Sequence, residues 1–105
     1  MRPNYLTLIL FLFMSLSANA QQEKGYIKTS NAKKSLQIAE HLIGKGDYDQ
    51  AEKQLRYTIR MKKNFAVAYR ELGKVLLITY QFEEAIETFE KSFDIDGKLS
   101  RAAYF

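Results

Sequence analysis

Residues 48–65, YDQAEKQLRYTIRMKKNF, and residues 82–99, FEEAIETFEKSFDIDGKL, read as two copies of one pattern. Tyr48, Ala51, Leu55 and Ile59 advance by three, four and four positions, and Phe82, Ala85, Phe89 and Phe93 advance in the same way. That spacing draws one apolar stripe along an α-helix, because side chains three and four apart share a helix face. The two copies lie 34 residues apart.

Working outward, the same offset pairs Ile38 with Leu72, Ala39 with Gly73, Leu42 with Leu76, Thr58 with Ser92, Met61 with Ile95 and Phe65 with Leu99. Each 34-residue unit then carries two apolar stripes, which makes it a helical hairpin. Helices are predicted over 32–45, 48–62, 66–79 and 82–95, with Asp96-Gly97 ending the last. Gly46 can take the left-handed conformation that closes a helix, and Asp47 can cap the next one together with Gln50. The second turn, Thr79-Tyr80-Gln81, has no glycine. Valine stands only at Val67 and Val75 and no period-two alternation survives, so no strand is expected.

The small residues Ala39 and Gly73 on the first helices, and Ala51 and Ala85 on the second, fall where two helices of a hairpin must approach closely. A larger side chain there would push the axes apart. Tyr48 and Phe82 open the second helices and fill the space beside them.

These residues resemble the tetratricopeptide repeat family. Its 34-residue unit sets a bulky apolar residue and then a small one on the first helix, and an aromatic, an alanine three on and a bulky residue four further on the second. Unit 32–65 offers Ile38-Ala39, Leu42, Gly46, Tyr48, Ala51 and Leu55; unit 66–99 offers Tyr69, Leu72-Gly73, Leu76, Phe82, Ala85 and Phe89. Lys63 and Gly97 stand where the family often has proline, Ser35 where an aromatic is common, and Tyr80 where the turn glycine is usual. The resemblance implies an all-α stack of tandem helix-turn-helix repeats, a solenoid with two full units, and residues 100–105 (SRAAYF) read as the start of a third. Such stacks bury each hairpin only against its neighbours. The last face, around Phe89 and Phe93, is therefore expected to be covered by a longer chain or, failing that, by a partner or a second copy.

The chain begins differently. Met1-Arg2 precedes an apolar run from Leu6 to Leu16, and Ser17-Ala18-Asn19-Ala20 supplies small residues for cleavage after Ala20. The run is too short for the roughly 20 residues of a membrane span. Residues 1–20 thus read as a signal peptide, and 21–30 as a flexible polar lead carrying Gly25. Export across an inner membrane to the periplasm or to the outer membrane is expected, with no direct membrane insertion after cleavage.

The chain has no cysteine, so neither disulfides nor thiolates contribute. Arg2 is the only charged side chain of 1–20, leaving 15 basic against 12 acidic residues spread over the rest. Basic residues come at most in pairs, Lys33-Lys34 and Lys62-Lys63, whereas nucleic acid favours a concentrated stripe. No nucleic-acid partner is expected. His41 has no second imidazole for a metal, and Glu83-Glu84, Glu87 and Glu90 read as a solvated helix face rather than a buried acid-base pair. No phosphate loop or nucleophile elbow is present. Neither enzyme activity nor a cofactor is expected.

In the resembled family the first helices line a groove that holds a partner's peptide. Carried over by position, this implies Lys33, Gln37, Glu40, Arg70 and Lys74 as polar contacts and Leu36, Leu77 and Ile78 as apolar ones. Lys33, Arg70 and Lys74 suit an acidic segment or a terminal carboxylate. Leu36 and Glu40 occupy positions where the family's carboxylate clamp has Lys and Asn, so that specificity is not assigned. Phe89 and Phe93 are the candidate end face, available to a partner or to self-association. The expected role is a protein-protein scaffold of the cell envelope, arranged like the N-terminal region of outer-membrane-protein-A-like envelope proteins. The alternatives are a periplasmic adaptor or chaperone for client peptides, and an accessory domain of a longer protein.

Overall fold

The computed structural model describes residues 25–104. The signal-peptide reading of 1–20, positions 21–24 of the lead and Phe105 lie outside the described residues. Four helices follow one another: α1 (Ala32–Lys45), α2 (Tyr48–Met61), α3 (Ala66–Ile78) and α4 (Phe82–Tyr104). No strand occurs among the described residues.

Helix α1 starts from Asn31, whose extended backbone lets its side-chain oxygen accept from the Lys34 amide at 2.9 Å. The predicted cap at Asp47 does not form: its side chain makes no capping bond. At φ −81° and ψ 66° its backbone lies outside the extended region from which such a side chain folds back onto the helix amides. Only its carbonyl takes part, accepting from Ala51 N at 2.9 Å.

The two hairpin turns are alike. Gly46 has φ 80° and Tyr80 has φ 65°. Gly46 N donates to Ile43 O and Asp47 N to Leu42 O, both at 3.0 Å, while 34 residues on Tyr80 N donates to Leu77 O at 3.2 Å and Gln81 N to Leu76 O at 2.8 Å. These bonds close the last turn of each first helix, as left-handed C-terminal caps do. Tyrosine thus adopts, at the second turn, a backbone conformation that glycine takes without strain.

Helix α1 packs along α2 and α3 along α4; α2 also packs on α3, and α1 meets α3 over a short stretch. The helix backbones of α1 and α4 do not approach one another. The core is one cluster of Leu36, Ala39, Ala51, Leu55, Ala68, Leu72, Val75, Leu76 and Ala85, with Leu42, Ile43, Tyr48, Ile59, Phe65, Val67 and Phe89 packed around it. Ala39, Ala51 and Ala85 are buried, in keeping with close helix approach. Full burial of a leucine such as Leu55 or Leu76 contributes about 1.5–3 kcal/mol.

Two expectations change. Asp96-Gly97 does not end the last helix, which runs to Tyr104. Closing a helix at glycine requires a positive φ, and Gly97 does not have one; glycine within a helix costs only about 1 kcal/mol relative to alanine. Residues 100–104 therefore continue α4 rather than opening a separate helix.

The lead, expected to be flexible, is docked over its described part. Gln54 Nε2 donates to Ile27 O at 3.0 Å while its Oε1 accepts from Ile27 N at 2.7 Å. Thr29 N donates to the Tyr57 hydroxyl at 3.3 Å, and the Tyr26 and Tyr57 rings stack at 4.5 Å. Polarity and a glycine predict a loop, but they do not reveal that a distant helix supplies partners for its backbone.

Candidate functional site

The outward face of α3 carries Arg70, Lys74 and Leu77, which share one stripe by their spacing of four and three, with Ile78 beside them. All four are exposed. Glu71 joins the two cations: its Oε1 lies 3.0 Å from Lys74 Nζ and 3.9 Å from Arg70 Nε. The surface is thus an apolar strip ending at Leu77 and Ile78 beside a partly neutralised basic pair. Lys33, Gln37 and Glu40 are exposed on α1.

Leu36 is not a groove contact. It is 8% exposed and belongs to the core. Gln37 lines a different concavity, between the lead and α1, with Ile27, Lys28, Lys34, Ile38 and His41. Of the eight groove residues, Leu36 is thus withdrawn into the core and the other seven are exposed.

Of the end-face pair, Phe89 is packed against the core, with its ring next to Gly73. Phe93 is 76% exposed, and Phe82 and Ile86 on the same helix are also exposed. The apolar surface of the second hairpin continues through Tyr80, whose ring meets Phe82 edge-on at a 6.0 Å centroid distance.

A groove that the sequence did not announce runs between α2, α3 and α4, lined by Arg56, Ile59, Arg60, Tyr69, Leu72, Glu84, Glu87, Thr88 and Lys91. Arg56 spans it, bonding Glu84 Oε1 through Nη2 at 2.7 Å and Glu52 Oε2 through Nε at 3.2 Å. Partial burial lowers the Arg56 pKa, but the hydrogen bonds and charges of Glu84 and Glu52 outweigh it, and the guanidinium stands above its ordinary value. It stays charged at every physiological pH. Arg56 and Glu84 are 28 residues apart, so no local pattern pairs them.

The lead site has a sequence signal that was available. Gln54 and Thr58 fall on the inward face of α2 with Ala51 and Leu55, and both are buried. Buried polar groups need partners. Gln54 Nε2 bonds Ser35 Oγ at 2.8 Å, and Ser35 Oγ lies 2.7 Å from Thr58 Oγ1, completing a buried polar chain from α2 through α1. No buried side-chain polar atom among the described residues lacks a partner.

Among the described residues no group of His, Cys, Asp or Glu is placed to hold a metal ion, and no helix is long and apolar enough to cross a membrane. No family model, curated protein or solved structure matches this chain.

Proposed function

We propose that this chain is an exported protein-protein interaction module of the cell envelope, a tetratricopeptide-like stack of two helical hairpins. The observation that carries the reading is the docked lead: the first hairpin holds residues 26–29 through bonds from the Gln54 and Tyr57 side chains to their main chain and by aromatic stacking. Bonds to a peptide's own backbone are sequence-tolerant, which is how helical and sheet scaffolds accept segments of other proteins. What supports the repeat architecture is the recurrence of both turns with the same hydrogen bonds at the 34-residue offset, together with the open order in which α1 never meets α4. A closed four-helix bundle would bring its first and last helices together.

The exposed face of α3 is the surface offered to a partner, with Leu77 and Ile78 as apolar anchors and Arg70 and Lys74 as cations. A photo-crosslinking residue placed at Lys74 or Ile78 in the producing cell should yield a discrete protein adduct in the envelope fraction. The same residue at Asp49, exposed on the outside of α2, should not. Equal crosslinking at all three positions, or none at any, would sink this reading.

A further inference from the structure

We infer that the chain associates head to tail with a second copy of itself, the exposed face of α4 in one copy covering the α1 face beside the lead in the next; this rests on the repeat reading above. The contact of α2 with α3 inside the chain is the template. Ile59 of α2 and Leu72 of α3 line the same groove and belong to the same apolar cluster. Moving Ile59 forward by 34 gives Phe93 on α4, and moving Leu72 back by 34 gives Ile38 on α1. Leu72 is 4% exposed in its contact, whereas Ile38 is only half-buried and lines an open concavity with Ile27, Lys28, Lys34 and His41. Phe93 is 76% exposed. The exposed faces of α1 and α4 thus each present one half of a contact that α2 and α3 already make.

The two halves are complementary in charge as well. On α4, Phe82, Ile86 and Phe93 lie within about 40° of one another around the helix, at 3.6 residues per turn. Exposed Glu83, Glu90 and Asp94 run along one edge of that stripe. On α1, Lys34, Ile38, His41 and Lys45 share a face, and Lys28 of the lead stands beside it; all three lysines are exposed. The apolar stripe of α4 meets Ile38 and the neighbouring Ile27, and its acidic edge meets the lysines around them. A two-fold contact of α4 with α4 would leave that acidic edge without a basic counterpart. The contact uses different surfaces on the two copies, so it does not close on itself and extends with concentration.

The test is sedimentation velocity on the chain as isolated from its producing cell, over a wide concentration range. The mean mass should pass that of a dimer as concentration rises and should fall with added salt. Phe93→Asp and the double variant Lys28→Glu/Lys34→Glu change exposed side chains only, so circular dichroism should be unchanged, while each weakens association by about tenfold or more. Mixed together, each variant keeps the face the other has lost, and the mixture should form a one-to-one dimer and grow no further. A wild-type chain that stays monomeric throughout, or a variant mixture that stays monomeric while the wild type associates, overturns the head-to-tail contact. Loss of association with Phe93→Asp alone, the lysine variant being unaffected, assigns a tail-to-tail contact and overturns it too. A monomer that still crosslinks through Lys74 and Ile78 leaves the interaction module standing, which separates the two failures.

Discussion

Gly73 of α3 lies against the ring of Phe89 of α4 so closely that a Cβ at position 73 would stand 2.8 Å from Phe89 Cδ1. At the 34-residue offset the first hairpin pairs Ala39 with Leu55, both fully buried. The two hairpins therefore solve the same approach with different volumes, a small residue with a branched one, and no side chain with a ring.

Gly73→Ala should destabilise the chain by about 1 kcal/mol, since overpacking costs about 1–3 kcal/mol and the better helix propensity of alanine returns about 1. Combined with Phe89→Leu, which recreates the pair of the first hairpin, the loss should be smaller than the sum of the single losses. Urea unfolding of the four proteins measures the coupling. Additive effects would mean that the ring and position 73 do not constrain each other.

Tyr80→Gly should stabilise the second turn by about 1 kcal/mol, because a side chain in the left-handed region carries a penalty of roughly that size. The edge contact of Tyr80 with Phe82 is exposed and offsets only part of the gain. Gly46→Ala, at φ 80°, should do the reverse by a similar amount. Thermal melting of both variants checks the signs.

Gln54→Leu should release the lead. The Ile27 amide and carbonyl lose their partners, and the Ser35 hydroxyl keeps only Thr58. A stability loss of about 1–3 kcal/mol is expected from breaking a buried polar network. The sharper readout is hydrogen exchange: the Ile27 and Thr29 amides should be protected in the wild type and exchange freely in the variant. Protection that survives would mean that the Tyr57 hydroxyl and the Tyr26–Tyr57 stack hold the lead without Gln54.

Glu84→Gln removes the charge link between the Arg56 guanidinium and α4, and should cost no more than about 1 kcal/mol because both side chains are partly exposed. Arg56 has a raised folded pKa, so its contribution is fully present below its unfolded pKa and is lost only as pH rises through the folded value in strong alkali. Salt, not neutral pH, is the lever: the difference between wild type and variant should shrink as ionic strength rises.

Local periodicity is what made the helices legible. The starts at Ala32, Tyr48, Ala66 and Phe82 coincide with the first residues of apolar stripes, and the ends at Lys45, Met61 and Ile78 fall within a residue of expectation. The burial of Ala39, Ala51 and Ala85 followed from size and spacing alone. Leu36 and Phe89 were misplaced for one reason: periodicity says that a residue faces a neighbour but not which of two neighbours is there.

By itself, then, the sequence determined an all-helical chain, its first three turns and the small residues at the close approaches, because those depend on contacts within a few residues. Only the tertiary structure decided that Tyr80 repeats the conformation of Gly46, that α4 passes through Gly97 without a turn, that Arg56 reaches Glu84, and that the segment before α1 is docked on Gln54 and Tyr57. The last two join groups 28 and 27 residues apart in the chain, and their energies arise only once the helices are packed.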